Sequence, residues 1–131
     1  MANTKNMSNK SKHLEAEGEM SYDYANDILF FKVKNREYNS SIEFQNMVID
    51  VDKEEFIVGL QIFDASKFLQ IDKSHLGQMP KWKFQAKIDG NTIELRLFYQ
   101  VSIRNQIIEK NPIIIQENTT NLPEQTMTIP V

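Results

Sequence analysis

The acidic side chains are the first residues of this sequence that could do chemistry. Six side chains with oxygen atoms could together form a metal site or an acid–base cluster. They are Tyr22, Asp23, Asp27, Asp50, Asp52 and Asp64. A calcium-binding loop that started at Asp50 would need Gly at its sixth position and Glu at its twelfth. Those positions hold Glu55 and Gln61, so the pattern does not match a calcium loop.

Each of these carboxylates also has a structural role, which the sequence favours over catalysis. Asp23 and Asp27 precede an apolar run and would order a turn, and Asp64 would cap a helix. Asp50 and Asp52 would end a strand. No metal site is therefore predicted, and a metal-dependent enzyme, the least favoured alternative, would have to be built on Asp23, Asp50 and Asp64.

Nucleophilic catalysis has little support in the sequence. The chain has no cysteine and only two histidines, His13 and His75. Ser66 is not part of a Gly-x-Ser-x-Gly turn, and the four glycines are scattered singly, so no Gly-rich phosphate loop is present. The sequence therefore predicts neither an enzyme nor a cofactor.

A basic surface on residues 81–104 is the stronger candidate for a binding site. This segment holds five basic and two acidic residues. The candidate site residues are Lys81, Lys83, Lys87, Arg96 and Phe98. Cations along a strand face with one aromatic side chain could follow a phosphate backbone and stack a base. The alternative, which the sequence favours, is that these residues solvate the free face of a β domain, and Phe98 could equally mark a dimer contact.

Hydrophobic periodicity predicts the strands that must position these side chains. Strands are expected at residues 28–33, 42–51, 56–63, 82–88 and 93–103. Asp64 begins a predicted short helix that ends near Leu69. The expected fold is α+β: a mainly antiparallel twisted β-sheet of five or six strands with one short helix. The expected core residues are Leu29, Phe31, Val58, Leu60, Ile62, Trp82, Phe84, Leu95 and Leu97. The sequence leaves open which of the two faces of the first strand, residues 28–33, points inward.

The last two predicted strands form a hairpin. Their apolar residues alternate with polar ones on either side of Asp89-Gly90, a dipeptide typical of a two-residue hairpin loop. Such a loop pairs Phe84 with Leu95, so that inward-facing residues lie opposite each other.

A single β-rich domain is expected at residues 21–104. Residues 1–20 are polar, with three Lys and three Glu, and are predicted to be a flexible tail. Residues 105–131 are predicted to be a C-terminal extension, partly extended or disordered. The three isoleucines at 113–115 are expected to be covered, as an edge strand or at a subunit interface, which predicts a homodimer.

Composition limits the remaining classes of protein. The chain has 131 residues, with 15 basic against 18 acidic groups and a net charge of −3, which excludes a strongly basic chromatin-type protein. No apolar run approaches the ~18 residues that span a bilayer, and no secretory leader is visible. The sequence therefore predicts a cytoplasmic protein without membrane contact.

A series of residues in the first half of the chain is arranged as in a known family. The series contains Tyr22-Asp23, Asp27-x-Leu29-Phe30-Phe31-x-Val33, Val48-Ile49-Asp50-Val51-Asp52 and Val58-Gly59-Leu60-x-Ile62-x-Asp64-Ala65-Ser66. Through these residues, the segment of about residues 20–70 resembles a small prokaryotic family known as domain of unknown function 2283. The resemblance marks Tyr22, Asp23, Asp27, Gly59, Asp64 and Ser66 as structural motif residues. It implies a compact, mainly β domain with a short helix, without an established enzyme mechanism. Some members look like partners in small two-gene operons of the toxin–antitoxin kind.

The sequence as a whole predicts a non-catalytic small interaction or regulatory module, with an antitoxin-like partner protein as one form. Its expected partner is another protein or a second copy of the chain. The alternative is an RNA- or ribosome-associated binding protein that uses the basic hairpin of residues 81–104.

Overall fold

Alternating apolar and polar residues give most strands an inner and an outer face, and two sheets bury their inner faces against each other. The computed structural model describes residues 12–78 and 81–129, which contain eleven strands and two short helices. The strands are β1 (Lys12–Glu15), β2 (Gly18–Asp23), β3 (Ile28–Val33), β4 (Ser40–Phe44), β5 (Met47–Val51), β6 (Ile57–Phe63), β7 (Lys81–Asp89), β8 (Thr92–Ile103), β9 (Gln106–Lys110), β10 (Ile113–Glu117) and β11 (Gln125–Ile129). The helices are α1 (Ala65–Leu69) and α2 (Lys73–Leu76). Among the described helices, none has the length and apolar character needed to cross a membrane.

One sheet, sheet B, is built from β2 to β6 in the order β2-β3-β6-β5-β4, and all of its neighbouring strands are antiparallel. Apolar residues of neighbouring strands lie opposite each other on its inner face, as Phe31 does with Leu60. On its outer face, Gly59 lies between Lys32 of β3 and Asp50 of β5. The pairing of β5 with β6 shifts by one residue next to Asp50, which marks a β-bulge.

The other sheet, sheet A, has the order β1-β11-β7-β8-β10, and β9 also pairs with β8. Strand β8 is twelve residues long, so one of its edges accommodates β10 along the first half and β9 along the second. The first and last described strands, β1 and β11, pair in parallel, and the other pairs of this sheet are antiparallel.

Aromatic packing joins the two sheets. The ring of Phe31 on sheet B has its centroid 5.3 Å from that of Trp82 and 5.8 Å from that of Phe84, both on sheet A. Eight of the nine expected core residues are buried, and Trp82 is partly buried against the core. The expected core residues therefore lie on the inner faces of the two sheets.

A buried amide also joins the two sheets. The Gln125 side chain on β11 is fully buried, and its Oε1 accepts a hydrogen bond from the Ile57 backbone N–H at 2.7 Å. Its Nε2 donates to the Glu55 carbonyl O at 2.6 Å. Both ends of the amide are therefore paired, as a buried polar group requires.

The β-rich character of the fold is as predicted. The prediction of a single sheet of five or six strands with one helix is wrong, because the described residues form eleven strands in two sheets and two short helices. The additional strands come from segments that the sequence assigned to the tail and to the extension. Residues 12–20 contribute β1 and the first half of β2, and residues 105–131 contribute β9, β10 and β11. These strands are short and partly polar, so pairing with neighbours, rather than their own composition, stabilises them. Residues 1–11 of the predicted tail lie outside the described residues.

The register of the β7–β8 hairpin differs from the predicted one by two residues. Phe84 lies opposite Leu97 rather than Leu95, because the two loop residues are Gly90 and Asn91. Gly90 has φ 61° at the first central position, where hairpin turns often require glycine. A shift of two residues keeps every side chain on its predicted face, so the outward set is unchanged.

Gly18, where the chain enters sheet B after β1, provides a test of the contact between the sheets. A Cβ atom there would overlap the Ile129 side chain and lie 3.0 Å from the Lys32 carbonyl O. We expect Gly18→Ala to lower the free energy of unfolding by about 1–3 kcal/mol, the usual cost of overpacking, as measured by urea denaturation. In the control Gly77→Ala, the new Cβ would meet only the Tyr22 ring, at 3.9 Å. Equal losses in the two variants would contradict this expectation.

Candidate functional site

The predicted basic residues lie together on the outer face of the β7–β8 hairpin. Lys81, Lys83 and Lys87 follow one another along β7, and Phe98 of β8 lies directly opposite Lys83. Arg96 lies opposite Gln85 on the same face. All five residues therefore share one face of the hairpin, because side chains alternate between the two faces of a strand.

Part of the positive charge on this face is already paired. The Arg96 Nε lies 3.2 Å from the Glu94 Oε2, and the Lys83 Nζ lies 5.5 Å from the centroid of the Phe98 ring. A lysine in this position holds the aromatic ring by a cation–π contact. Within the described chain, no ion pair involves Lys81 or Lys87, although Lys87 lies directly opposite Glu94.

Strands β9 and β10 form one long free edge on sheet A. Ile113 lies opposite Arg96 and Lys110 lies opposite Tyr99, so each pair is three positions from the other on both strands. Both strands therefore follow a single register along β8, and only Asn111 and Pro112 separate them. We call residues 106–117 the free edge.

The free edge carries exposed isoleucines. Ile107, Ile113 and Ile115 are 65%, 49% and 64% exposed, whereas Ile114 is buried against the core. The three exposed residues share the outer face of sheet A, since Ile113 lies opposite Arg96 and Ile115 opposite Glu94. The isoleucine run was predicted to be covered, but within one chain only Ile114 is buried, whereas Ile113 and Ile115 stay exposed.

The carboxylate of Asp27 is the point where three motif residues meet. Tyr22 Oη donates to Asp27 Oδ1 at 2.6 Å, and Ser66 Oγ donates to Asp27 Oδ2 at 2.6 Å. The Ser66 backbone N–H donates to Oδ1 at 3.0 Å, and the Ala65 N–H donates to the Asp27 carbonyl O at 3.0 Å. These bonds hold the β2–β3 turn against the first turn of α1.

Asp64 does not cap α1 in the way that the sequence predicted. It occupies the N-cap position, but its side chain makes no capping hydrogen bond. Its backbone is left-handed, with φ 52° and ψ 44°, whereas a capping side chain usually comes from an extended residue. The carboxylate that accepts from the first turn belongs to Asp27 instead.

The electrostatics of the Asp27 site favour a structural role. Burial raises the pKa of Asp27, but hydrogen bonds from Ser66 and Tyr22 and the charge of Lys73 outweigh it, so the pKa lies below its ordinary value. Burial and the hydrogen bond to Asp27 raise the pKa of Tyr22. At neutral pH the carboxyl is ionised and the phenol protonated, so neither group has a pKa suited to proton transfer there.

The aspartates of the metal hypothesis lie apart. Asp23 accepts hydrogen bonds from the backbone and side chain of Asn26 in the β2–β3 turn, which lower its pKa. Asp50 lies on the outer face of sheet B and accepts from Ser41 Oγ at 2.8 Å. Across the part of the chain that the structure describes, no three acidic or histidine side chains are grouped as metal ligands, so Asp23, Asp50 and Asp64 do not form one site.

A cleft of about 670 Å³ on the outer face of sheet B was not predicted from the sequence. It lies between the sheet and residues 36–38, and its lining includes Phe30, Lys32, Asp50 and the exposed ring of Tyr38. No local pattern in the sequence indicates this cleft, because the cleft depends on how residues 36–38 lie against the sheet.

Asp27→Asn tests the hydrogen-bonded junction. Asparagine tolerates the left-handed backbone at this position, where φ is 56°, but offers only one acceptor oxygen to the Tyr22 and Ser66 donors. We expect a loss of about 1–3 kcal/mol in the free energy of unfolding at pH 7, as measured by urea denaturation. Asp72→Asn is the control, because the Asp72 side chain makes no capping bond to α2.

The difference in stability between wild type and Asp27→Asn should depend on pH, with a sign that follows from the pKa of Asp27. Because folding lowers the pKa of Asp27, its ionised form contributes stability above the ordinary value of 3.8, and this contribution is lost as the pH falls through the folded value. The stability difference between wild type and Asp27→Asn should therefore shrink on acidification. A difference that stays constant from pH 7 to strongly acidic pH would contradict this assignment.

Comparisons with known proteins agree with the sequence resemblance. A protein of Methanosarcina mazei named "Putative hypoxanthine phosphoribosyltransferase" is 29% identical over 108 residues, which is 82% of this chain and 88% of that protein. The Uncharacterized protein MJ0789 of Methanocaldococcus jannaschii is 28% identical over 109 residues, which is 82% of this chain and 94% of that protein. No solved structure matches the chain. The model of the family described as Protein of unknown function (DUF2283) matches residues 19–66, the segment that holds β3 to β6 and the Asp27 junction, as the sequence resemblance predicted.

Proposed function

We propose that this protein is a non-catalytic interaction module that binds another protein chain through the free edge of sheet A. The observation that carries the proposal is the exposure of Ile107, Ile113 and Ile115 along residues 106–117. Exposed apolar side chains that lie together on one edge are typical of a protein–protein contact. A small regulatory or antitoxin-like partner protein would use such an edge.

The backbone of the free edge supports this proposal. An edge strand presents N–H and C=O groups that can form a ladder with another chain, and a bound strand uses them for affinity. Natural edges are usually protected by charges, bulges or proline. Around Ile113 and Ile115, the nearest charged residues of the free edge are Lys110 and Glu117, so the middle of β10 is apolar.

The non-catalytic part of the proposal is supported by the Asp27 site, whose groups have their pKa values shifted away from neutrality. The name of the Methanosarcina relative suggests a competing activity, phosphoribosyl transfer. Phosphate groups are commonly held by Gly-rich loops that lead into a helix N-terminus. The glycines of this chain, Gly18, Gly59, Gly77 and Gly90, lie singly, so we do not extend that name to this protein.

Charge placed on the free edge should remove partner binding. A tagged full-length protein is used for native pull-down at low and high salt, with and without nuclease. We expect a protein that is retained by wild type under all conditions to be lost with Ile113→Lys plus Ile115→Lys, because burial of a lysine ammonium is costly. The control is Tyr24→Lys plus Tyr38→Lys, which changes two other exposed apolar residues. Retention by both double variants would overturn the proposal.

RNA binding by the outer face of β7–β8 is the second candidate function. The supporting observation is the row of Lys81, Lys83 and Lys87 on one face, with Phe98 beside Lys83. Lys81 and Lys83 are two positions apart, about 7 Å, which is close to the spacing of successive phosphates in an extended single strand. Lys87 lies four positions beyond Lys83, about 13 Å away, with Gln85 between them. The ion pair of Arg96 with Glu94 lowers the charge that this face offers, which is why this function is ranked second.

Charge reversal on β7 tests the RNA hypothesis. If RNA binds this face, Lys83→Glu plus Lys87→Glu should abolish a salt-sensitive affinity for single-stranded RNA, measured by fluorescence anisotropy across a salt series. In each single variant, Lys83→Glu or Lys87→Glu, the slope of log affinity against log salt concentration should fall in magnitude by roughly 0.7. This is the change expected for one lost phosphate contact. Lys32→Glu plus Lys67→Glu is the control, because these lysines lie away from this face. Unchanged affinity in the first double variant would end this hypothesis.

A further inference from the structure

The free edge has a symmetry that identifies its partner. We propose that its partner is a second copy of this chain, with β10 of the two copies paired antiparallel about a twofold axis at Ile114. This inference rests on the proposed interaction function and specifies both its partner and its register.

The direction of the backbone groups follows from two hydrogen bonds. Leu97 N–H donates to the Pro112 carbonyl O at 3.1 Å, and Asn118 N–H donates to the Asn91 carbonyl O at 2.6 Å. Residues 112 and 118 therefore direct their backbone groups at β8 and its loop. Because these groups alternate along an antiparallel strand, residues 114 and 116 also point to β8, and residues 113, 115 and 117 point to the free edge.

Proline does not protect this edge. Pro112 lacks an N–H group, and prolines in edge strands often block pairing for that reason. The backbone groups of Pro112 face β8, where its carbonyl O accepts a hydrogen bond from the Leu97 N–H. The N–H that proline lacks would therefore have pointed at β8 and not at the free edge. The donors of Ile113 and Ile115, on the opposite side, stay available for a second strand.

The isoleucines are self-complementary about Ile114. In an antiparallel pair with the axis at Ile114, Ile113 of each copy lies directly opposite Ile115 of the other. The four side chains then meet on the outer face, where Ile113 is 49% and Ile115 64% exposed in the single chain. An interface about a twofold axis requires a surface that complements itself in this way.

Neighbouring registers fit less well. With the axis at Ile115, Ile113 would lie opposite Glu117 of the second copy, which places a carboxylate beside an apolar side chain. With the axis at Ile113, Glu109 would lie opposite Glu117, and like charges directly opposite each other destabilise a strand pair. The axis at Ile114 sets Glu117 opposite Asn111, which carries no charge.

The absence of cysteine from the sequence allows a direct test of the register. With the axis at Ile114, the two Ile114 residues form a pair without mutual hydrogen bonds, with Cα atoms about 4.5 Å apart. This separation lies within the range that a disulfide accepts. The two Ile115 residues would be offset by two positions along the strands, more than about 7 Å apart and too far for a disulfide.

The experiment compares three single-cysteine variants of the full chain: Ile114→Cys, Ile115→Cys and Ile107→Cys. After mild oxidation at micromolar concentration, we expect Ile114→Cys to give roughly tenfold more covalent dimer than the other two, because it alone meets the disulfide geometry. Ile107→Cys is the control for random collision, since Ile107 is as exposed as Ile115. Equal cross-linking of the three variants, or preferential cross-linking of Ile115→Cys, would overturn the proposed register.

Light scattering on the unmodified protein covers the case in which Ile114→Cys fails to fold. A dimer mass for wild type that becomes a monomer mass in Ile113→Lys plus Ile115→Lys supports the inference, and a wild-type monomer at micromolar concentration overturns it. The proposed function fails separately. If wild type is a monomer but still retains a different protein that the lysine variant loses, the free edge binds another chain and only the self-pairing is wrong.

Discussion

The structure depends on the burial of one apolar face of each sheet against the other. Phe31 from one sheet packs on Trp82 and Phe84 from the other, and the Gln125 amide bonds the backbone of the opposite sheet. Once these faces are buried, the surfaces left for function are the two outer faces and the unpaired edges. The basic face, the cleft and the free edge are therefore products of the same packing.

How far the sequence predicted this fold depends on which property is considered. Alternation with a period of two assigned the faces of β7 and β8 correctly, because a side chain's face depends only on parity, whereas the inward face of β3 was left open by its continuous apolar run. It could not distinguish an Asp89-Gly90 loop from a Gly90-Asn91 loop, which keep the same parity and differ by two residues in register. Strand β11 was missed because its neighbours are polar, although Met127 and Ile129 alternate with threonines and carry the strand signal.

The sequence predicted which residues belong to the Asp27 site better than it predicted what each of them does. The motif placed Tyr22, Asp27 and Ser66 in one set, but only the folded chain brings residues 39 positions apart into a hydrogen bond. The sequence assigned the capping of α1 to Asp64, because Asp64 is the carboxylate that directly precedes the predicted helix along the chain. In the same way, the run of isoleucines indicated a need for cover, whereas the pairing with β8 determined that Ile114 is buried and its neighbours are exposed.

The parallel pairing of β1 with β11 links the fold to its synthesis. His13 lies beside Thr126, and β11 in turn separates β1 from β7, so sheet A cannot be completed until the last strand has been made. Contacts between such distant parts of a chain are slow to form. During synthesis, β1 and β7 are therefore made before the strand that joins them, whereas all strands of sheet B lie within residues 18–63. The sheet that carries the Asp27 junction can thus be completed earlier in synthesis than sheet A.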